Sequence, residues 1–107
     1  MYTRQYIGHM EGIAGFDWDD GNWEKCTRHG VSIAEIESVL EGGPAIATDP
    51  AHSHIEVRMR AVGLAVSGRY VFVVFTVRER LGQRLIRPVS ARYMHRKEVR
   101  RYEETGP

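Results

Sequence analysis

Apolar positions recur at helical spacing in the first half of the chain and at a spacing of two in the second, and the period changes at Pro44. Phe16-Asp17-Trp18-Asp19 alternates apolar and acidic residues, as a short half-buried strand does. Asp19 or Asp20 is then placed to cap a helix running through Trp23 and Cys26 to Arg28, with His29 in its last turn and Gly30 as its stop. A second helix is predicted from Ser32, where Glu35 three residues on completes a capping box. Its apolar positions Ile33, Ile36, Val39 and Leu40 fall on one face, and Gly42-Gly43-Pro44 ends it.

Beyond Pro44, Ala45–Thr48 reads as a short strand closed by Asp49-Pro50. Residues 55–66 alternate, with Ile55, Val57, Met59 and Ala61 on one face and Glu56, Arg58 and Arg60 on the other. Ser67-Gly68 makes a turn, Tyr70–Arg78 is the clearest strand, and Gly82 marks the next turn. Residues 85–90 form a further strand in which Pro88 demands an edge or a bulge. Residues 94–104 are helical in pattern, with Met94, Val99 and Tyr102 inward. The expected class is α+β: N-terminal helices and a C-terminal helix packed on a small antiparallel sheet of three or four strands. The expected core is Trp18, Cys26, Ile36, Leu40, Val57, Tyr70, Phe72, Val74 and Val89.

A length of 107 residues fits one domain. Residues 1–14 read as an N-terminal tail, in which Gly8-His9-Met10 has the look of a cloning junction, and residues 15–104 as the domain proper. The longest apolar stretch is eight residues, Tyr70–Val77, against the roughly 20 that span a bilayer, so no membrane role is expected. The N-terminus lacks the basic start and apolar run of a secretory signal. One cysteine, Cys26, excludes an intrachain disulfide framework and reads as a small core residue. The expected location is cytoplasmic.

Charge is unevenly spread. Residues 78–101 hold nine Arg and Lys against two Glu, a local +7, while the rest of the chain carries −6. Eight of those nine are arginine, whose planar fork grips phosphate bidentately. A polyanion is therefore the expected ligand. His52-x-His54 has too few companions for a metal site, and no metal or cofactor is expected. Neither a phosphate-cradling GxxxxGK[ST] loop nor a GxGxxG fingerprint occurs.

The block Arg87-Pro-Val-Ser-Ala-Arg92, followed by Glu98 and by Tyr102-Glu103, resembles the ending of the BrnT toxin family, the ribonuclease halves of bacterial toxin–antitoxin pairs. Phe16-Asp-Trp-Asp19 with Asn22, Arg28-His-Gly-Val31, Arg58-Met-Arg-Ala-Val-Gly63 and Val73-Val-Phe-Thr76-x-Arg78 resemble its other motifs in order, over residues 16–104. Arg28 stands where lysine is usual, Leu64 where many members carry an arginine, and Met94-His95 where Ala-Thr is common. The resemblance implies a RelE-like fold whose helices lie on one side of the sheet while the other face binds RNA. It also implies a ribbon-helix-helix antitoxin as partner, a hetero-oligomeric complex, and operator DNA reached through that antitoxin.

Metal-free RNA cleavage needs a base for the 2′-hydroxyl, cations for the pentacoordinate phosphate and an acid for the leaving oxygen. Arg58, Arg78 and Arg92 are the candidate cations, expected to converge over one end of the sheet if Met59 and Val77 point inward. His29 or Glu98 is the candidate proton carrier, with His95 and Tyr102 also considered. Arg60, Arg87, Arg96, Lys97 and Tyr102 are candidate RNA-binding residues. Structural roles compete: His29 meeting carbonyls at its helix end, Glu98 pairing with Arg101, Tyr102 and both tryptophans in packing. Two readings compete with the endoribonuclease, namely a non-catalytic nucleic-acid-binding module and a decayed toxin serving as antitoxin-bound co-repressor.

Overall fold

The computed structural model describes residues 3–4, 13–48 and 57–105. Its elements in chain order are β1 (Thr3–Arg4), β2 (Ile13–Phe16), α1 (Trp23–Thr27), α2 (Ile33–Glu41), β3 (Ala45–Thr48), β4 (Met59–Leu64), β5 (Tyr70–Arg80), β6 (Gln83–Tyr93) and α3 (Arg96–Thr105). The class is α+β, as the periodicity predicts. The expected antiparallel meander is wider, however: six strands in the order β1-β3-β4-β5-β6-β2. The sheet is mixed, because β2 lies parallel to β6. The first fourteen residues therefore contribute β1 and the start of β2, elements too short to show a period. Asp49-Pro50, His52, His54, Ile55 and Glu56 lie outside the described residues.

Local chemistry accounts for the individual elements. At the start of α2 the Ser32 side chain accepts from the Glu35 N–H and the Glu35 carboxylate accepts from the Ser32 N–H, the full capping box. α1 is shorter than predicted, and its cap is Asn22 rather than an aspartate. The β5–β6 hairpin turns through Leu81 and Gly82, at φ 52° and 78°. Positive φ at both central residues is what a two-residue turn needs to match the twist of its strands. Pro88 is accommodated by a bulge: Val74 faces Ser90 while Phe75 faces Pro88, leaving Val89 extra on β6.

The core lies between the sheet and the α1–α2 layer. Cys26, Ile36 and Leu40 are fully buried there, as expected, against Ala61, Val71, Val73, Phe75, Ile86 and Ala91. Trp18 packs partly buried on the same cluster. The phase of β5 is the reverse of the prediction: Val71, Val73 and Phe75 are at 0% exposure and face the helices, while Phe72 and Val74 are half-buried on the other face. Residues 70–75 are apolar on both faces, so alternation alone does not say which face is inward. Met59 and Val77 do point to the core. Val57 is 61% exposed and lies before β4, Val89 sits half-buried in the bulge, and Trp23 is exposed with its indole N–H donating to Asp20. A Cβ on Gly63 would come 2.7 Å from Val39 Cγ1, the close approach that lets α2 rest on β4.

The helices do not share one side. Tyr102 meets Tyr70 edge-on at 5.4 Å between ring centroids, and Glu98 meets Arg92. Both contacts put α3 over one end of the face opposite α1 and α2. Met94, Val99 and Tyr102 are half-buried, as predicted.

Candidate functional site

Strand pairing decides which side chains share the face away from α1 and α2. Phe72 is opposite Arg92, Val74 opposite both Arg60 and Ser90, Thr76 opposite Arg87, and Arg80 opposite Gln83. Paired residues share a face and alternate residues return to it. Arg60 of β4, Arg78 and Arg80 of β5, and Arg87 and Arg92 of β6 therefore stand on one surface. Arg58, immediately before β4, is in phase with Arg60. Arg84 pairs with Glu79 on the opposite phase and is not part of the surface.

The expected convergence of Arg58, Arg78 and Arg92 is not what the register gives. Arg92 is level with Phe72, and Arg78 lies six residues further along β5. At about 3.3 Å per residue this separates their backbones by roughly 20 Å. Arg58 belongs with Arg78, so the arginines form a stripe with two ends rather than one cluster.

At the Arg92 end, the guanidinium forks onto Glu98, with Nη1 donating to Oε1 at 2.7 Å and Nη2 to Oε2 at 2.8 Å. It also lies 4.9 Å from the centroid of the Phe72 ring. The Glu98 carboxylate further accepts the His95 backbone N–H at 2.9 Å. The Arg92 hydrogen bonds first, and then the His95 N–H, hold the Glu98 carboxyl down at about 2. Glu98 thus pairs with Arg92 across the strand–helix joint. This pair supports the fold above the pH where an unfolded glutamate ionises, near 4.5, and that support fades as pH falls toward about 2. His95, Arg96 and Lys97 are exposed on the same end.

At the other end, two acids from the segment after β2 hold the arginines. Asp17, 3% exposed, accepts from Arg80 Nη1 at 2.8 Å and from Arg87 Nη1 at 3.3 Å. Asp19 takes Arg87 Nη1 and Nη2 at 3.0 Å each. The Arg87 bond lowers the Asp19 carboxyl below its ordinary value, and the Arg87 side chain is only 11% exposed. Arg87 is therefore a structural cation first. Asn22 makes the fold that presents these acids: buried, it donates through Nδ2 to the Asp17 and Pro88 carbonyls and accepts the Asp19 N–H through Oδ1, at 2.9, 2.8 and 2.8 Å. Asn22→Ala leaves two buried carbonyls and a part-buried N–H without this partner and is expected to cost about 2–3 kcal/mol, read from urea unfolding. The motif Phe16-Asp-Trp-Asp19 with Asn22 marked Asp17 and Asn22, but the sequence did not give their contacts with Pro88, Arg80 and Arg87, because those partners lie more than sixty residues away.

His29 is exposed in the turn after α1, in the helical layer on the far side of the sheet. The structure does not bring it to the arginine face. Among the described residues no three of His, Cys, Asp and Glu gather as a metal site, and no helix is long and apolar enough to cross a membrane.

Residues 18–98 match the family model described as ribonuclease toxin, BrnT, of type II toxin–antitoxin system. The chain belongs to that family. No curated protein matches it. The matched span of this BrnT-family chain takes in His29, Arg58, Arg60, Arg78, Arg87, Arg92, Arg96, Lys97 and Glu98, and stops short of Tyr102. Membership makes it a ribonuclease toxin of a type II system, and such a system supplies an antitoxin as partner.

Proposed function

We propose that the chain is an endoribonuclease that cuts RNA on the arginine-bearing face without a metal ion, and that a ribbon-helix-helix antitoxin silences it. The observation that carries this reading is the Arg92–Glu98 pair at the end of an arginine stripe on one face of the sheet. An RNA strand is long enough to meet both ends of that stripe: Arg58 and Arg78 at one, Arg92 at the other, with Arg60, Arg96 and Lys97 adding to the field.

In the free protein Glu98 is a weak base, since Arg92 holds it ionised to about pH 2. A phosphate competing for Arg92 changes that. The guanidinium turns to the phosphate, Glu98 loses its counterion beside a new negative charge, and its proton affinity rises. Glu98 then takes the 2′-hydroxyl proton, the 2′-oxygen bonds to phosphorus, and the bond to the 5′-oxygen breaks. Arg92 stabilises the pentacoordinate phosphate. The products are a 2′,3′-cyclic phosphate and a 5′-hydroxyl. A protonated His95, exposed three residues from Glu98, is placed to give its own proton to the leaving oxygen, and solvent exchange then resets both groups. His29, on the other side of the sheet, has no part in this scheme.

The antitoxin is proposed to cover the cationic stripe with an acidic or amphipathic segment, to form a hetero-oligomer through its own dimerisation, and to carry the toxin to operator DNA. The reaction is cytoplasmic in this reading. The test uses toxin freed from its antitoxin and a labelled RNA oligonucleotide in excess EDTA. The RNA is expected to be cut to cyclic-phosphate ends, while a fully 2′-deoxy version stays intact. Loss of cutting in EDTA, or cutting of the deoxy strand, overturns the mechanism. RNA binding without cutting by active-folded protein favours the non-catalytic module or the co-repressor.

A further inference from the structure

On the arginine face one side chain is out of place as packing. Thr76 is 3% exposed, and its hydroxyl is buried with no hydrogen-bond partner among the described residues. Buried hydroxyls are nearly always satisfied, and a valine of the same shape carries no such burden. The position therefore calls for a ligand or a cost. Thr76 stands opposite Arg87 on β6 and two residues from Arg78 on β5. The register Met59–Phe75 brings Arg58, one residue earlier, alongside it.

Guanidinium groups only donate, so none of these arginines can accept the Thr76 proton. An oxyanion can accept from both kinds of donor at once. The row already shows its taste for one: the Asp17 carboxylate bridges Arg80 and Arg87 on the same face. The hydroxyl itself is buried, so a ligand reaches it only by displacing the side chains that cover it; Arg78, two residues along β5, is exposed.

We infer that Thr76 is the floor of a phosphate subsite, its hydroxyl donating to a non-bridging oxygen that the neighbouring arginines also hold. Resting on the RNA-cleaving reading, the occupant is a backbone phosphate of the RNA, gripped some distance from the Arg92 end. Thr76 positions the strand and exchanges no proton with it.

Inorganic phosphate and a non-cleavable 2′-O-methyl RNA oligonucleotide separate the subsite from the reading it rests on. Parent, Thr76→Ser and Thr76→Val are compared by thermal shift in phosphate against chloride at matched ionic strength, and by anisotropy with the oligonucleotide over a salt series. Phosphate is expected to raise the Tm of the parent and of Thr76→Ser. Thr76→Val is expected to need roughly tenfold more phosphate for the same rise, and to bind the oligonucleotide roughly tenfold more weakly. Its salt slope stays that of the parent, because no charge is lost. Without ligand the Tm of Thr76→Val should equal or exceed that of the parent, which excludes misfolding. A parent that ignores phosphate, or a Thr76→Val protein that responds like the parent, overturns the subsite. Thr76-dependent phosphate binding with Thr76-independent oligonucleotide binding overturns its assignment to RNA. Failure of the parent to cut RNA sinks the catalytic proposal and leaves the phosphate result standing.

Discussion

Arg92→Ala should slow RNA cleavage by roughly 10²–10³-fold, the usual loss on removing one well-placed donor to a developing oxyanion. In cells the corresponding result is growth on induction of the toxin without its antitoxin. The fold should barely notice. Both partners of the Arg92–Glu98 pair are about a third exposed, and such pairs contribute about 0.2–1 kcal/mol. The Tm of Arg92→Ala should therefore stay within a few degrees of the parent. Arg84, which the register takes off the face, serves as control: Arg84→Ala should keep its toxicity. A fully toxic Arg92→Ala, or one that is silent because it has unfolded, moves the active site elsewhere.

The second large effect is on stability. Phe75 is at 0% exposure in the centre of the core, and Phe75→Ala removes a fully buried aromatic side chain with little room for collapse. A loss of about 3–5 kcal/mol is expected, enough to unfold a small domain at growth temperature. Phe72→Ala, three residues away and on the other face, should cost clearly less. Its effect should show instead in RNA cleavage, because the Phe72 ring supports the Arg92 guanidinium. Urea unfolding of the two variants tests the strand register directly: equal costs, or a larger one at Phe72, would reverse the two faces.

That register marks where sequence reasoning stopped. α2 was legible because its cap, its period and its stop are all local: Ser32 with Glu35, Ile36 with Val39 and Leu40, then Gly42-Gly43-Pro44. The hairpin of β5 and β6 was legible for the same reason, down to a defect at Pro88. The phase of β5 was not, because Phe72 and Val74 are as apolar as Val71, Val73 and Phe75. Only the long-range packing of α1 and α2 chooses between them. The motif residues Arg58, Arg78, Arg92 and Glu98 were readable as a set, yet their spacing across the sheet was not. The distance between Arg78 and Arg92 depends on their rows along the hairpin, and the partner of Glu98 on how α3 leaves β6. Asp17 and Asp19 looked like the polar half of a strand. Their role as counterions appears only when β2 is laid beside β6.

The parallel union of β2 with β6 also sets an order of events during synthesis. The Asp17–Arg87 contact closes a loop of seventy residues, and Asn22 reaches Pro88 across sixty-six. Neither can form until nearly the whole domain has left the ribosome. Sheets that depend on such distant pairings fold slowly, since chain entropy is lost before the contacts form. A nascent or prematurely terminated chain lacks the strand that carries Arg87 and Arg92, and on the proposed site it is expected to be inactive. The proposed antitoxin then has the interval between synthesis and completion of the arginine face in which to act.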